Sequence, residues 1–463
     1  MSDLEDLKRK FKGDIVTPSD AGYADAIARW ATNAVRRARI VAYVRDAADV
    51  GAALRYARAH GLPLAVHGGG HSASGASSVA GGLVVDLARF LGGVRVDAQA
   101  RRAYVGGGAR WGAVDAACAA HGLAVVGATV SHTGVGGLTV AGGYGWLTPT
   151  HGLTIDSLVG ATVVAADGVA HTASESENPG LLWGIRGGGC NLGVVTEFVF
   201  ELRPQRRTVF CGEMIFTEEK LEAVAEAVED WYPTAGENQV IHVTLGRGSD
   251  GNPTITLLMF YNGAEADGRE AFKAFSDLGP VMDLRREMTY EMSNSFMDTS
   301  FPAGQCHWSK GVAAVDATRI MTRRVFDKIM ELSAPGTPMD HVTLTIEYMS
   351  QAKVNSVPSA ATAFVRNRPG LGNASVQVVW DADTPELTAA ARHIADEIAR
   401  AVQAGELRRG GRCAESEASP ERADRFARAR ALFGANYPRM QRLKRRYDPE
   451  IIFDKWFVVE PSE

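Results

Sequence analysis

Residues 62–90 read LPLAVHGGGHSASGASSVAGGLVVDLARF: a short β-rich run, a glycine-rich turn carrying His67 and His71, and a second β-rich run. Two further glycine clusters follow, TGVGGLTVAGGYGW at 133–146 and GIRGGGCNLGVVTEF at 184–198. Glycine permits positive φ and lets the backbone approach a ligand with no Cβ in the way. Backbone N–H groups in such turns form anion-binding concavities that suit a pyrophosphate. A G-x-G-x-x-G dinucleotide fingerprint should follow a strand and open a helix. Here Gly68 and Gly70 are followed by Ala73 and then by another β-rich run, so a Rossmann reading fails on context.

Around these clusters the composition is that of a globular protein. The chain has 463 residues, 46% hydrophobic and 22% charged, enough for two or three folding units at a prior of ~150 residues each. A net charge of −5 argues against nucleic acid as the main partner. The five cysteines (Cys118, Cys190, Cys211, Cys306, Cys413) are odd in number and hold no C-x-x-C pair, which argues against a disulfide framework and a metal site. The start, MSDLEDLKRKFKGD, lacks the apolar segment of a signal peptide, and no run approaches the ~18 apolar residues of a membrane helix. A cytoplasmic enzyme without a membrane partner is expected, and nothing in the pattern gives an oligomeric state.

Helical spacing places Tyr23, Ile27, Trp30 and Ala31 on one face, and Val50, Ala53, Leu54 and Ala57 on another, the second helix capped by Asp46. From Leu62 to Val199 short strands alternate with glycine turns, interrupted by a helix at Trp111–His121. Past Pro204 the texture changes. Strands are expected at Val240–Gly246, Thr254–Tyr261, Val342–Met349 and Val376–Trp380, with amphipathic helices at Leu221–Trp231, Ile320–Leu332 and Leu387–Ala404. This fits a separate sheet covered by helices on one face. A Gly/Arg-rich segment near 410 precedes a helix expected at Glu421–Phe433. The final stretch, LKRRYDPEIIFDKWFVVEP (443–461), is apolar enough to pack back on a core, and QRLKRR (441–446) reads as a solvated helix face.

Taken together, four segments resemble the berberine-bridge-enzyme-like oxidases of the vanillyl-alcohol-oxidase flavoprotein superfamily. They are residues 62–90, VSHTGVGGLTVAGGYGWLTPTHGLTIDSL (130–158), ADGVAHTASESENPGLLWGIRGGGCNLGVVTEFVFEL (166–202) and NYPRMQRLKRRYDPEIIF (436–453). The resemblance implies an α+β fold: an FAD-binding domain of two subdomains, with an inserted substrate domain of antiparallel sheet plus helices. The implied division is 1–204 and 411–463 for the FAD-binding domain and 205–410 for the substrate domain.

Within the frame GGGHS-x-x-G (Gly68, Gly69, Gly70, His71, Ser72, Gly75), His71 stands where the family attaches FAD through the 8α-methyl carbon. His67 stands where the family commonly has Arg. Some relatives add a cysteinyl link, but the corresponding residue is Val130, so one covalent link is implied. The remaining contacts implied for the cofactor are His132, Thr133, Gly134, Gly136, Gly137, Gly142, Gly143 and Tyr144 in the second cluster, and Gly193 and Val195 in the third. Cys190, where relatives often have Gly, reads as a packed residue.

The family's chemistry is hydride transfer from a substrate C–H to flavin, with a base taking a proton from a hydroxyl or amine. Alternation in VTLTIEYM puts Thr343, Thr345 and Glu347 on one face of a strand that is otherwise apolar, where a carboxylate is costly without a task. Glu347 is the candidate base; Tyr437 stands where relatives place a tyrosine near the substrate. Thr133, just before the glycine that opens the second cluster, stands where the family controls access of O2. The expectation is an oxidase of a small-molecule alcohol, amine or polyketide-like substrate. The rivals are a dehydrogenase with another acceptor and a flavin-binding protein without turnover. Lys310 and the Trp456–Phe457 pair of the tail are left between active-site and structural roles.

Overall fold

The computed structural model describes residues 3–312, 320–339, 341–366, 373–406 and 425–463. The expected boundary near 410, Cys413 and the start of the helix expected from Glu421 lie outside the described residues. Three of the four sheets among the described residues organise the fold. The first is four-stranded, in the order Asp14–Val16, Ile40–Tyr43, Leu83–Asp86 and Leu64–His67, with the last three parallel. Its core is closed by the helix Ala47–Ala59, whose Val50, Ala53, Leu54 and Ala57 are buried and whose cap, Asp46, accepts from the Asp49 amide at 3.0 Å.

The second sheet is antiparallel and five-stranded, in the order Val94–Asp97, Arg102–Gly106, Val194–Glu201, Leu158–Val164 and Ala170–Ser174. The third is a large antiparallel sheet running Met282–Asp283, Thr208–Thr217, Pro253–Tyr261, Gln239–Arg247, His341–Met349, Asn373–Trp380 and Cys306–Val312. Helices Leu221–Trp231, Arg323–Leu332 and Pro385–Glu406 cover one face of it, and Val342, Leu344, Ile346 and Tyr348 point into that core. The opposite face meets the first half of the chain through Val240, Leu258, Phe260 and Met349, packed on Trp146 and Leu147. This is the α+β architecture expected: two subdomains and an antiparallel sheet with helices.

Two sequence expectations change. The helix that begins at Tyr23 ends at Ile27, and Trp30 leaves it because its amide donates to Gly70 O at 3.2 Å while Gly304 N donates to its carbonyl at 3.0 Å. Tertiary bonds outcompete the helical register there. The basic run 441–446 is also not uniformly solvated: within the helix Tyr437–Tyr447, Lys444 is completely buried against Asp448 at 2.6 Å. The tail packs back as expected, with Val459 N donating to Asn191 Oδ1 at 3.0 Å and Asn191 Nδ2 to Phe457 O at 2.9 Å. Among the described residues, no helix is long and apolar enough to cross a membrane.

Candidate active site

The three glycine clusters converge. A Cβ on Gly69 would lie 2.4 Å from Gly134 Cα, so the first two loops touch backbone to backbone and only glycine allows the approach. A Cβ on Gly189 would lie 2.0 Å from the Trp456 ring, which seats the tail on the third cluster. Between the loops runs a cavity of about 570 Å³, within the roughly 300–1,000 Å³ of small-molecule and cofactor sites. Of the residues expected at the cofactor, Gly68, Gly69, Gly70, His71, Ser72, Thr133, Gly134, Gly136, Gly137, Gly143, Tyr144, Gly193 and Val195 line it. Gly137 has no atom within 4 Å of where a Cβ would stand, so a side chain there would occupy the cavity. A cleft lined by glycine loops, with a histidine in its wall, fits a dinucleotide with a reactive ring.

The other expected contacts sit behind the wall. His67 is turned away and paired through Nδ1 with the buried Asp86. The buried cation under this loop is Arg29, donating to Ser77 O at 2.7 and 3.0 Å. Gly142 packs on Phe364, Gly75 opens onto a neighbouring cleft, and Val130 accepts from the Thr133 amide at 3.2 Å. His132 does not line the cavity; its Nδ1 lies 3.0 Å from His71 Nε2.

His71 is half-buried and flat against Trp30, centroids 4.2 Å apart at 10°; Trp30 in turn stacks on His307 at 3.9 Å. Burial first, then His132 and His307, holds the His71 imidazole down to about 4, so it is neutral at ordinary pH. Trp30 and His307 were missed in the sequence because they come from segments far from the glycine clusters.

Glu347 is half-buried on the sheet face opposite the helices, with Thr345, whose Oγ1 is 3.1 Å from Thr244 Oγ1. Its cross-strand neighbour is His242, buried, stacked on Trp146 at 4.6 Å, its Nε2 without a partner among the described residues. Burial holds His242 below the ordinary histidine value while the Glu347 carboxylate works against it. Glu347 is not itself in the cavity wall. Tyr144 spans the gap, lining the cavity and packing on the cluster that holds Trp146 and Met349.

Tyr437 is a correction. Its ring is buried in the subdomain core and its hydroxyl accepts from Glu460 N at 3.3 Å, away from the cavity, because the returning tail covers it. Lys310 pairs with Asp396 on the helix side of the sheet. Cys190 lines the cavity, but burial pushes its thiol up, so it is a packed thiol. Trp456 lines the cavity too, which places the aromatic tail at the cofactor loops.

Residues 38–174 match the model of an FAD-binding domain family, and residues 417–455 match one described as berberine and berberine-like. An FAD-linked oxidoreductase of Aspergillus terreus, pgmH, is 31% identical over 99% of this chain and 96% of its own length. The (R)-6-hydroxynicotine oxidase of Paenarthrobacter nicotinovorans is 28% identical over 97% of both chains. Among solved structures, 6-hydroxy-D-nicotine oxidase from Arthrobacter nicotinovorans superposes with a TM-score of 0.83 at 25% identity, covering 98% of each chain. The xylooligosaccharide oxidase of Myceliophthora thermophila superposes with a TM-score of 0.82 at 21% identity over 100% of both, a likeness of fold.

Proposed function

The chain belongs to the FAD-linked oxidoreductases of the berberine-bridge-enzyme type, within the vanillyl-alcohol-oxidase superfamily, and on that footing we propose that it is an oxidase carrying FAD on a single bond to His71. Its substrate is a small-molecule alcohol, amine or polyketide-like compound, and its electron acceptor is O2. Residues 1–204 and 411–463 hold the cofactor, and 205–410 the substrate. One observation supports this most: a neutral, partly buried imidazole stands at the wall of a cofactor-sized cleft built from three glycine loops. A neutral imidazole nitrogen is a nucleophile; a protonated one is not.

FAD, when bound, supplies the hydride acceptor and the centre that O2 reoxidises. The chain's own groups do the rest. The loops at Gly68–Gly70 and Gly134–Gly137 offer backbone donors to the pyrophosphate. Glu347 takes the proton from the substrate hydroxyl or amine, and its neighbour His242 is placed to orient that group. Thr133, compact and with a hydroxyl, lines the cleft, and control of O2 access is assigned to it on the family position it occupies.

The test is acid precipitation of the purified protein. The yellow colour stays with the wild-type polypeptide and passes to the supernatant in His71→Ala. A wild-type flavin that washes free overturns the covalent assignment. An anaerobic screen of alcohols and amines, followed by admission of air, then separates the electron acceptors. Rapid return of flavin absorbance with peroxide marks the oxidase; a reduced flavin that persists for minutes in air marks the dehydrogenase; a flavin that no substrate bleaches marks a binding protein.

A further inference from the structure

His71 Nε2 and His132 Nδ1 lie 3.0 Å apart, with the two rings 22° from coplanar. Between two neutral imidazoles one nitrogen must donate and the other accept. If His132 donates, His71 spends the Nε2 lone pair on that bond and carries its own proton on Nδ1, so neither nitrogen is free to attack. If His71 donates from Nε2, its Nδ1 lone pair is left free. Only the second arrangement makes His71 a nucleophile.

The surroundings fix this geometry. Trp30 lies flat on the His71 ring, is backed by His307, and is itself tied through Nε1 to Phe301 O at 3.0 Å. The stack sets the plane of the ring, and His132 sets which edge faces away from the cofactor. A doubly protonated His71 is opposed by burial, then by His132, His307 and Arg110, with only the His71 backbone acting the other way.

We propose that His132 is the positioning residue for flavin attachment: it holds His71 in the Nε2–H tautomer, so that the bond to FAD forms through Nδ1 and the displaced proton leaves through Nε2. The inference rests on the covalent reading above. In the step, the 8α-methyl of FAD loses a proton to give its quinone-methide tautomer, and Nδ1 forms a bond to the 8α carbon. The exocyclic C=C pair moves into the ring system, which ends two electrons reduced. The imidazole proton passes from Nε2 to His132 Nδ1 and from there on to the reduced ring system, leaving both imidazoles neutral. The methyl hydrogen and the imidazole hydrogen are both recovered on the reduced flavin. Dioxygen then accepts two electrons and two protons and leaves as hydrogen peroxide.

The experiment uses the full chain, produced under riboflavin limitation and reconstituted with FAD. Acid-stable flavin is followed with time, and the attached nitrogen is assigned by NMR of the isolated flavinyl peptide. His132→Leu removes the acceptor; His132→Asn puts an amide oxygen close to the place of Nδ1. Wild type is expected to link through Nδ1. His132→Leu slows covalent incorporation by roughly 10²-fold, the lower end of what a positioned base contributes, while still binding FAD reversibly. His132→Asn recovers part of the rate and keeps the Nδ1 linkage, which a merely structural loss would not do.

Linkage of wild type through Nε2, or wild-type incorporation rates in both variants, overturns the role of His132 and leaves the covalent reading intact. Wild-type flavin that is never acid-stable overturns the covalent reading itself. Should His132→Leu fail to bind FAD at all, the linkage in wild type and the rate in His132→Asn decide the matter.

Discussion

Replacing Lys444 with Met should loosen the tail from the cofactor cleft and lower the melting temperature. Lys444 and Asp448 are both fully buried and 2.6 Å apart. The ammonium also donates to Asn191 O and Phe453 O, each at 2.9 Å, while Asp448 accepts from the amides of Ile452 and Phe453 at 2.9 and 3.0 Å. Burial lowers the Lys444 pKa and the Asp448 carboxylate opposes that, so the pair stands on mutual support. Removing one partner leaves a buried charge uncompensated, a cost of about 3–5 kcal/mol. At about 2–4 °C per kcal/mol for domains of a few hundred residues, the melting temperature falls by roughly 6 °C or more. Because Phe453, Lys455 and Trp456 wall the cleft, reversible FAD binding measured in a His71→Ala background should weaken as well. Lys444→Met with Asp448→Asn removes the stranded charge and keeps an oxygen for one of the two amides, which donate to different oxygens of Asp448, so it should regain part of the loss. A single variant that melts within about 2 °C of wild type, less than ~1 kcal/mol, refutes the argument. So does a double variant as unstable as the single.

Glu347→Gln should bind FAD normally and slow flavin reduction by roughly 10²–10⁴-fold in anaerobic stopped-flow, the contribution of a general base; a wild-type trace at saturating substrate removes Glu347 from the proposed chemistry. Thr133→Leu should slow reoxidation several-fold when the reduced protein is mixed with O2 while sparing the reductive half-reaction, and equal slowing of both halves would speak for a disturbed loop instead. Burial pushes the Asp115 carboxyl up to about 8 from an ordinary 3.8. Between those values the unfolded chain releases a proton that the folded one keeps, so the folded state loses up to about 1.4 kcal/mol per pH unit as pH rises. Asp115→Asn should therefore gain more in melting temperature over wild type at pH 7.5 than at pH 5, and a pH-independent difference would contradict the assignment.

What the sequence made legible was local. Alternation in His341–Met349 and helical spacing in Leu221–Trp231 are short-range patterns, and the elements formed within a residue or two of expectation. The glycine clusters were legible for a related reason, since close backbone approach excludes every other side chain, as at Gly69 and Gly134. Lys444 was misread because a basic run looks solvated whatever single member turns inward; its partners, Asn191 O and Phe453 O, are backbone atoms that no pattern marks. Tyr437 was misplaced because the tail that covers it gives no sign in its own composition of where it returns. Trp30 was given to a helix because helical spacing says nothing of a carbonyl at Gly70 waiting for its amide.

Trp30 and the residues that follow it bear on how the cleft is built. Trp30, Thr32 and Asn33 belong to the first part of the chain, yet they are held by Phe301, Gln305 and His307 of the large-sheet region. Thr32 N donates to Gln305 O at 2.9 Å, and Asn33 exchanges two hydrogen bonds with the His307 backbone, at 2.8 and 3.0 Å. On the other loop, the Ser131 amide donates to Asp298 Oδ1 at 2.8 Å. Both walls beside His71, the Trp30 stack and the loop carrying His132 and Thr133, are thus anchored to the segment 298–307. The groups that surround His71 therefore depend on docking of the sheet region, so substitutions at Asn33 or Asp298 should disturb the setting of His71 first.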